Sequence, residues 1–226
     1  MIGTIINVIA VIVGSFIGLL FDKGIPEHLS SSLMKALGLC TAVIGIQGAI
    51  QGENALIMIG SIVIGVLIGE LLNLDDKLNN VVRKLESRFV KIKGEKSLSE
   101  GFITASLVFC VGSMAIVGCL NAGLENDYSM LITKSMLDFT SSIIFASTLG
   151  IGVMGSAIAI FVYQGSLTLL ASLVAPVLSQ SAITEMTCVG SLLIIAIGLN
   201  LMGLTKIKVM NYLPAMFIPV ILCMFM

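Results

Sequence analysis

Apolar runs of about twenty residues alternate with short polar breaks along the whole chain. The first run, Ile2 to Phe21, stops at Asp22-Lys23-Gly24-Ile25-Pro26-Glu27-His28, where a proline ends any helix. A second run goes from about Ser32 to Ile50 and stops at Gln51-Gly52-Glu53-Asn54, and a third goes from Ala55 to Asn73. A polar segment follows from Leu74 to Glu100. The fourth run covers Gly101 to about Leu120, and Glu125-Asn126-Asp127 closes it. From Met130 to Leu178 there is no polar break, which is too long for one crossing and suits two. The glycines at 150, 152 and 155 mark the turn between them. A seventh run covers about Ile183 to Leu204, and an eighth runs from about Val209 to the end. A helix crosses the hydrocarbon core with about 20 apolar residues. The pattern therefore predicts an all-α polytopic transmembrane bundle of about eight spans.

Composition excludes the alternatives. Of 226 residues, 57% are apolar and 11% charged, with a mean hydropathy of +1.10. A soluble domain carries about 25% charged residues, so this chain lacks the polar surface to cover a water-soluble globule. A nucleic-acid binder, a secreted disulfide scaffold and a typical cytosolic enzyme are excluded. The five cysteines (Cys40, Cys110, Cys119, Cys188 and Cys223) lie in apolar stretches without a CxxC pair, and His28 is the single histidine. No metal site is expected, and no cofactor beyond a coupling ion such as Na⁺ or H⁺. The first run has no basic region before it and suits a span better than a cleavable signal.

Charge placement orients the spans. With the N-terminus outside, eleven of the twelve Lys and Arg residues fall in or beside inner loops: Lys23, Lys35, Lys77, Arg83, Lys84, Arg88, Lys91, Lys93, Lys96, Lys206 and Lys208. Glu53, Glu125, Asp127 and Glu185 fall in outer loops, and Lys134 alone is on the wrong side. This predicts both termini outside and residues 74–100 cytoplasmic. Within 74–100, Leu74, Leu78, Val81, Val82, Leu85, Phe89 and Ile92 recur at helical spacing beside Lys77, Lys84, Arg88 and Lys91. That is an amphipathic connector able to lie in the headgroup region; it either anchors orientation or docks a partner.

A short internal repeat relates the two ends of the chain. Gly14-Ser15 in the first span matches Gly165-Ser166 in the sixth, and Gly45-Ile46-Gln47 in the second matches Gly198-Leu199-Asn200 in the seventh. Five spans precede the sixth and none the first, so two such triplets would be inverted relative to each other, as in many secondary transporters. The expected organisation is a three-span repeat (1–73), the connector (74–100), a two-span hairpin (101–150) and a second three-span repeat (151–226).

Few residues can carry chemistry. Charged groups at a helix centre cost at least about 2.5–3.5 kcal/mol on insertion scales. Lys134 and Asp138 in the fifth span are four apart and share a face. They read either as a substrate- or ion-binding element or as a structural ion pair. Ser142, Ser147, Thr148, Gly150 and Gly152 follow, and suit either a helix end holding an ion or tight helix packing. Buried amides need partners, which singles out Asn7, Gln47, Gln164, Asn200 and Asn211. A convergent set of Gln47, Gln164 and Asn200, with Gly112-Ser113, would line a site. Gly14xxxGly18 and Gly65xxxGly69 read as helix packing or as a face for a second copy. Pro214 and Pro219 kink or break the last span. No catalytic motif occurs, so no enzymatic activity is expected.

Several of these stretches together resemble a known family. Lys134-Ser135-Met136-Leu137-Asp138, then Ile144 through Val153, Ser156-Ala157 and Tyr163-Gln164-Gly165-Ser166, are similar to the core signature of the YdfK/YqgA-like bacterial membrane proteins, labelled a domain of unknown function. Gly112-Ser113-Met114-Ala115-Ile116-Val117-Gly118 and the stretch from Gly3-Thr4 to Gly18 fit the same family. The resemblance covers nearly the whole chain. It implies a multi-pass protein of the bacterial inner membrane and brings no substrate.

From the residues, the expected function is secondary transport of a small polar solute or ion, with the bilayer as surroundings and a homo-oligomer through the glycine faces as an option. A membrane scaffold acting through the 74–100 helix, and a passive channel, are the alternatives.

Overall fold

The computed structural model describes residues 1–22, 27–80 and 98–224; side chains at 21, 22, 27–30 and 113 are outside that description. Every regular element among the described residues is a helix. Its elements are α1 (Ile2–Asp22), α2 (Glu27–Ala49), α3 (Ala55–Leu72), α4 (Leu98–Cys110), α5 (Ser113–Leu124), α6 (Ser129–Leu149), α7 (Gly152–Leu169), the short α8 (Ala171–Val174), α9 (Gln180–Leu201), a 3-10 helix (Val209–Phe217) and α10 (Ile218–Leu222). Residues 74–80 are helical. The rest of the expected amphipathic connector, 81–97, lies outside the described residues.

Local chemistry sets the boundaries. Asn54 caps α3, its Oδ1 accepting from the backbone N–H of Leu56 at 3.0 Å and of Ile57 at 3.4 Å, and Asn73 ends that helix in the left-handed conformation. Ser179 caps α9 by accepting from Ala182 N–H at 3.1 Å. Gly150, at φ 78°, makes the turn between α6 and α7 that the glycines predicted.

Among the described residues, α1, α2, α3, α7 and α9 are each long and apolar enough to cross a membrane. The expected fourth span is broken: α4 and α5 are bent by 60° about Val111-Gly112, and they make a sixth crossing if taken together. The expected fifth span, α6, is as long as α1 but less apolar, because it carries Lys134, Asp138 and a run of hydroxyls. The expected eighth is no continuous α-helix. Pro214 lies inside a 3-10 stretch, and Pro219 lies in the first turn of the short α10.

The bundle has two ends. Met1, the 50–54 turn, the 125–128 loop and the start of α9 share one end: Met1 reaches Gly165, and Glu185 holds the backbone of residues 53–54. The 73–80 segment, the start of α4, the α6–α7 turn and residues 200–209 share the other. α1 packs on α6, α2 on α9, α3 on the 3-10 helix, and α4 on α7. Glycines permit the close approaches. A Cβ at Gly14 would strike Ser142 and Phe139, and one at Gly69 would strike the Asn211 carbonyl. Both predicted glycine pairs are thus taken up inside the chain rather than left free for a second copy. α9 is the central helix, buried over 72% of its length against 22% for α3. The core gathers Phe109, Phe145, Leu149, Val153, Ile160, Leu193 and Ile197. Outward faces are apolar, as lipid contact requires: Ile5, Ile9, Phe16, Leu56, Ile59, Leu67 and Leu71 are exposed.

Candidate functional site

Three helices bring four polar side chains together. α6 supplies Lys134 and Asp138, one turn apart on its inward face, α1 supplies Asn7, and α7 supplies Gln164. Lys134 Nζ donates to Asp138 Oδ2 at 2.5 Å. Asn7 Nδ2 donates to the same oxygen at 2.9 Å and to Gln164 Oε1 at 3.3 Å. All four are buried, Lys134 to 6% and Asp138 to 5% exposure, and Asn7 and Gln164 fully. By the helical rise, Asp138 sits about 13 Å along α6 from Ser129, near mid-helix.

The chemistry of this arrangement is specific. A buried ammonium and a buried carboxylate each lose hydration worth several kcal/mol, and mutual attraction with added hydrogen bonds offsets that loss. The offset is incomplete around the pair. Asn7 Oδ1, Gln164 Nε2 and Thr4 Oγ1, one turn before Asn7, are buried without a hydrogen-bond partner. Thr168 Oγ1, one turn beyond Gln164, is buried beside the Cys119 thiol. Cys110, at the end of α4 where the fourth span breaks, lies within electrostatic reach of Lys134 and Asp138. At the break, Gly112 adopts φ 130°, and a Cβ there would meet nothing within 4 Å.

The other predicted residues do not join this cluster. Gln47 is exposed on the outer face of α2, so the expected convergence of Gln47, Gln164 and Asn200 does not occur. Asn200 is at the far end of the bundle, where it stitches the α9 terminus: its Nδ2 donates to Ile207 O at 2.8 Å, and its Oδ1 accepts from Ile207 N and Thr205 Oγ1. Ser142, Ser147 and Thr148 donate to carbonyls of their own helix at 2.7–2.8 Å, the bonding of packed helices rather than of an ion site. Gly150 turns the chain, and Gly152 lets the start of α4 approach, again at the far end. Ser113 opens α5; its side chain is outside the described residues.

A cavity of about 360 Å³ opens at the far end, lined by Asp75, Glu100, Thr104, Asn200 and Lys206 among others. Neither Asp138 nor Gln164 lines it. Phe109 and Phe145, their rings 5.9 Å apart and both buried, lie in the core; along α6, Phe145 is two turns beyond Asp138 toward the far end.

One polar group escaped the sequence reading, and another, Asn211, was singled out as an amide needing partners but without them. Glu185, expected in an outer loop, is a buried residue of α9. Its Oε1 accepts from the backbone N–H of Glu53 at 2.7 Å and Asn54 at 2.8 Å, and so pins the α2–α3 turn. Asn211 joins the 3-10 helix to α3: its Nδ2 donates to Glu70 Oε1 at 2.9 Å, and its Oδ1 accepts from Asp75 N at 2.8 Å. Asn7 was visible as an amide needing partners, but nothing local pointed it at Asp138.

Residues 2–224 match the family described as "Protein of unknown function (DUF554)". The chain is 38% identical over 223 residues to "Uncharacterized membrane protein YdfK" of Bacillus subtilis (strain 168), covering 97% of this chain and 94% of that protein. It is 34% identical over 218 residues to "Uncharacterized protein YqgA" of Escherichia coli (strain K12), covering 95% and 93%. No solved structure matches it.

Proposed function

The chain belongs to the DUF554 family of membrane proteins, and from that premise we propose that it is a secondary transporter of a small polar solute or ion, with Lys134, Asp138, Asn7 and Gln164 as its binding site. One observation carries the reading. A carboxylate, an ammonium and two carboxamides from three helices converge near the middle of the bundle, with further polar atoms there left without partners. A purely structural pair has no need of them, since leaving a buried donor or acceptor unmade costs about 1–3 kcal/mol. The broken α4–α5 span beside the cluster supports the same reading, because irregular backbone at membrane depth belongs where it lines a path.

The cluster is buried by packing and no cavity lines it with Asp138 and Gln164, which is the arrangement a scaffold would show; the carrier reading takes it as an occluded state. In that reading the buried Phe109–Phe145 contact is the barrier toward the polar cavity at the far end. Lys77, Lys206 and Lys208 lie at that far end, which supports placing it in the cytoplasm with the N-terminus outside. α2 packs on α9 and α3 on the 3-10 helix, as a pairing of the second span with the seventh and the third with the eighth would have it, whereas α1 packs chiefly on α6, the fifth span, rather than on the sixth. No enzymatic step is involved.

The test is solute uptake by purified protein in liposomes under imposed H⁺ and Na⁺ gradients. Saturable, gradient-driven uptake that Asp138→Asn reduces at least tenfold is the expected result. Failure to move any amino acid, organic acid or ion would end this reading. A scaffold acting through residues 74–100 would then remain, testable by deleting that loop.

A further inference from the structure

We infer that the solute held by this site is a small zwitterion of no net charge, of the amino-acid or betaine type; the inference rests on the transporter reading above. Charge bookkeeping at the site carries it. Among the described residues, the charged groups within the cluster are Lys134 and Asp138 alone, and they sum to zero. A solute with a net charge, occluded at this depth, would leave that charge unanswered where hydrocarbon and buried side chains surround it. A zwitterion leaves the sum unchanged.

The geometry gives each end of such a solute a place. Asp138 Oδ2 accepts from Lys134 Nζ and Asn7 Nδ2, one oxygen serving both donors. The solute's ammonium replaces Lys134 on that carboxylate. Its carboxylate takes the released Lys134 Nζ and is met by the free Gln164 Nε2, a donor without an acceptor. Asn7 Oδ1 and Thr4 Oγ1 remain to accept from the solute's ammonium hydrogens. The internal ion pair is therefore the stand-in that fills the site when the solute is absent. It lets the empty carrier reorient without exposing a lone charge to lipid.

Counterflow in proteoliposomes tests this with four labelled panels: amino acids with uncharged side chains plus glycine betaine; acetate and lactate; ammonium and ethanolamine; glycerol and urea. The wild-type protein is expected to move members of the first panel at least tenfold faster than any other, without membrane current. Lys134→Ala leaves one negative charge and should shift preference to ethanolamine and ammonium. Asp138→Asn leaves one positive charge and should shift it to lactate and acetate. If the single variants do not fold, the exchanged pair Lys134→Asp with Asp138→Lys preserves zero charge and should retain the first panel. Wild-type preference for any of the other three panels overturns this inference and leaves the transporter reading standing. No movement of any panel or of ions overturns both.

Discussion

Asp138 has its charge answered by one ammonium and one amide, and both answers come through a single oxygen. Removing one member of a buried pair costs about 3–5 kcal/mol, because the other is left as an uncompensated charge, whereas replacing both with apolar residues of similar size is often neutral. Asp138→Asn should therefore lower the melting temperature in detergent more than Lys134→Met with Asp138→Leu does. A double variant less stable than the single would contradict the pairing. Asn211→Ala should cost about 1–3 kcal/mol, since it strips the partner from Asp75 N–H and from the Glu70 carboxylate together. At the surface, Asp127 accepts from Ser129 N–H at 2.9 Å and Ser129 Oγ at 2.6 Å, and these bonds hold its carboxyl below the usual carboxylate range. A depressed carboxyl stabilises the fold above its unfolded-state value and loses that contribution as pH falls through its folded value. Acidification should thus fray the start of α6 first, which amide exchange at Ser129–Leu131 would register. Asp127→Asn should remove that pH dependence.

Helix contacts in this bundle are set by where side chains are missing. Gly14 and Gly18 let α1 lie against α6, and Gly65 and Gly69 let α3 lie against Ala215 and Asn211. Without a hydrophobic drive between helices in lipid, such close approach is a main source of association. Gly69→Ala should separate α3 from the 3-10 helix and lower both yield and melting temperature. Gly60→Ala, whose new methyl would meet its nearest neighbour at 3.6 Å, should be neutral or slightly stabilising. Gly112 differs from both: there is open space for a methyl, but φ is 130°. Gly112→Ala should therefore be strained by its backbone alone, by about 1–2 kcal/mol. The nine-residue 3-10 helix exceeds the three or four residues at which such helices usually stop. Pro214 explains part of this, since it withholds the N–H that an α-helix would use at that position.

Across the whole molecule, one end carries Glu53, Asp127 and the helix entry at Ser179, and the other carries the polar cavity with Lys206 and Lys208. Single cysteines placed at Gln51 or Asn126 should react with an impermeant maleimide added outside intact cells, and one at Lys206 only after the membrane is opened. Reaction at Lys206 from outside would reject the proposed orientation. The barrier proposed at Phe109 and Phe145 is equally testable: Phe109→Ala should admit thiol reagents to Cys110 from the Lys206 end, where the wild type should be protected.

The alternation of apolar runs and polar breaks determined the helical class, most of the boundaries and the turn at Gly150, because hydrocarbon demands a fixed length of apolar helix and polar breaks can lie only at its edges. The same logic marked Lys134 and Asp138 as a pair, since residues four apart meet on any helix. Partners from other helices obey no such local rule. That Asn7 and Gln164 meet Asp138 while Gln47 faces outward depends on how each helix is rotated about its axis, and near-uniformly apolar helices leave that rotation unmarked. The tertiary structure decided it through glycine contacts and interhelical bonds. Those contacts also moved Glu185 from an expected loop into the core, and put the cavity at one end of the bundle, apart from Lys134 and Asp138.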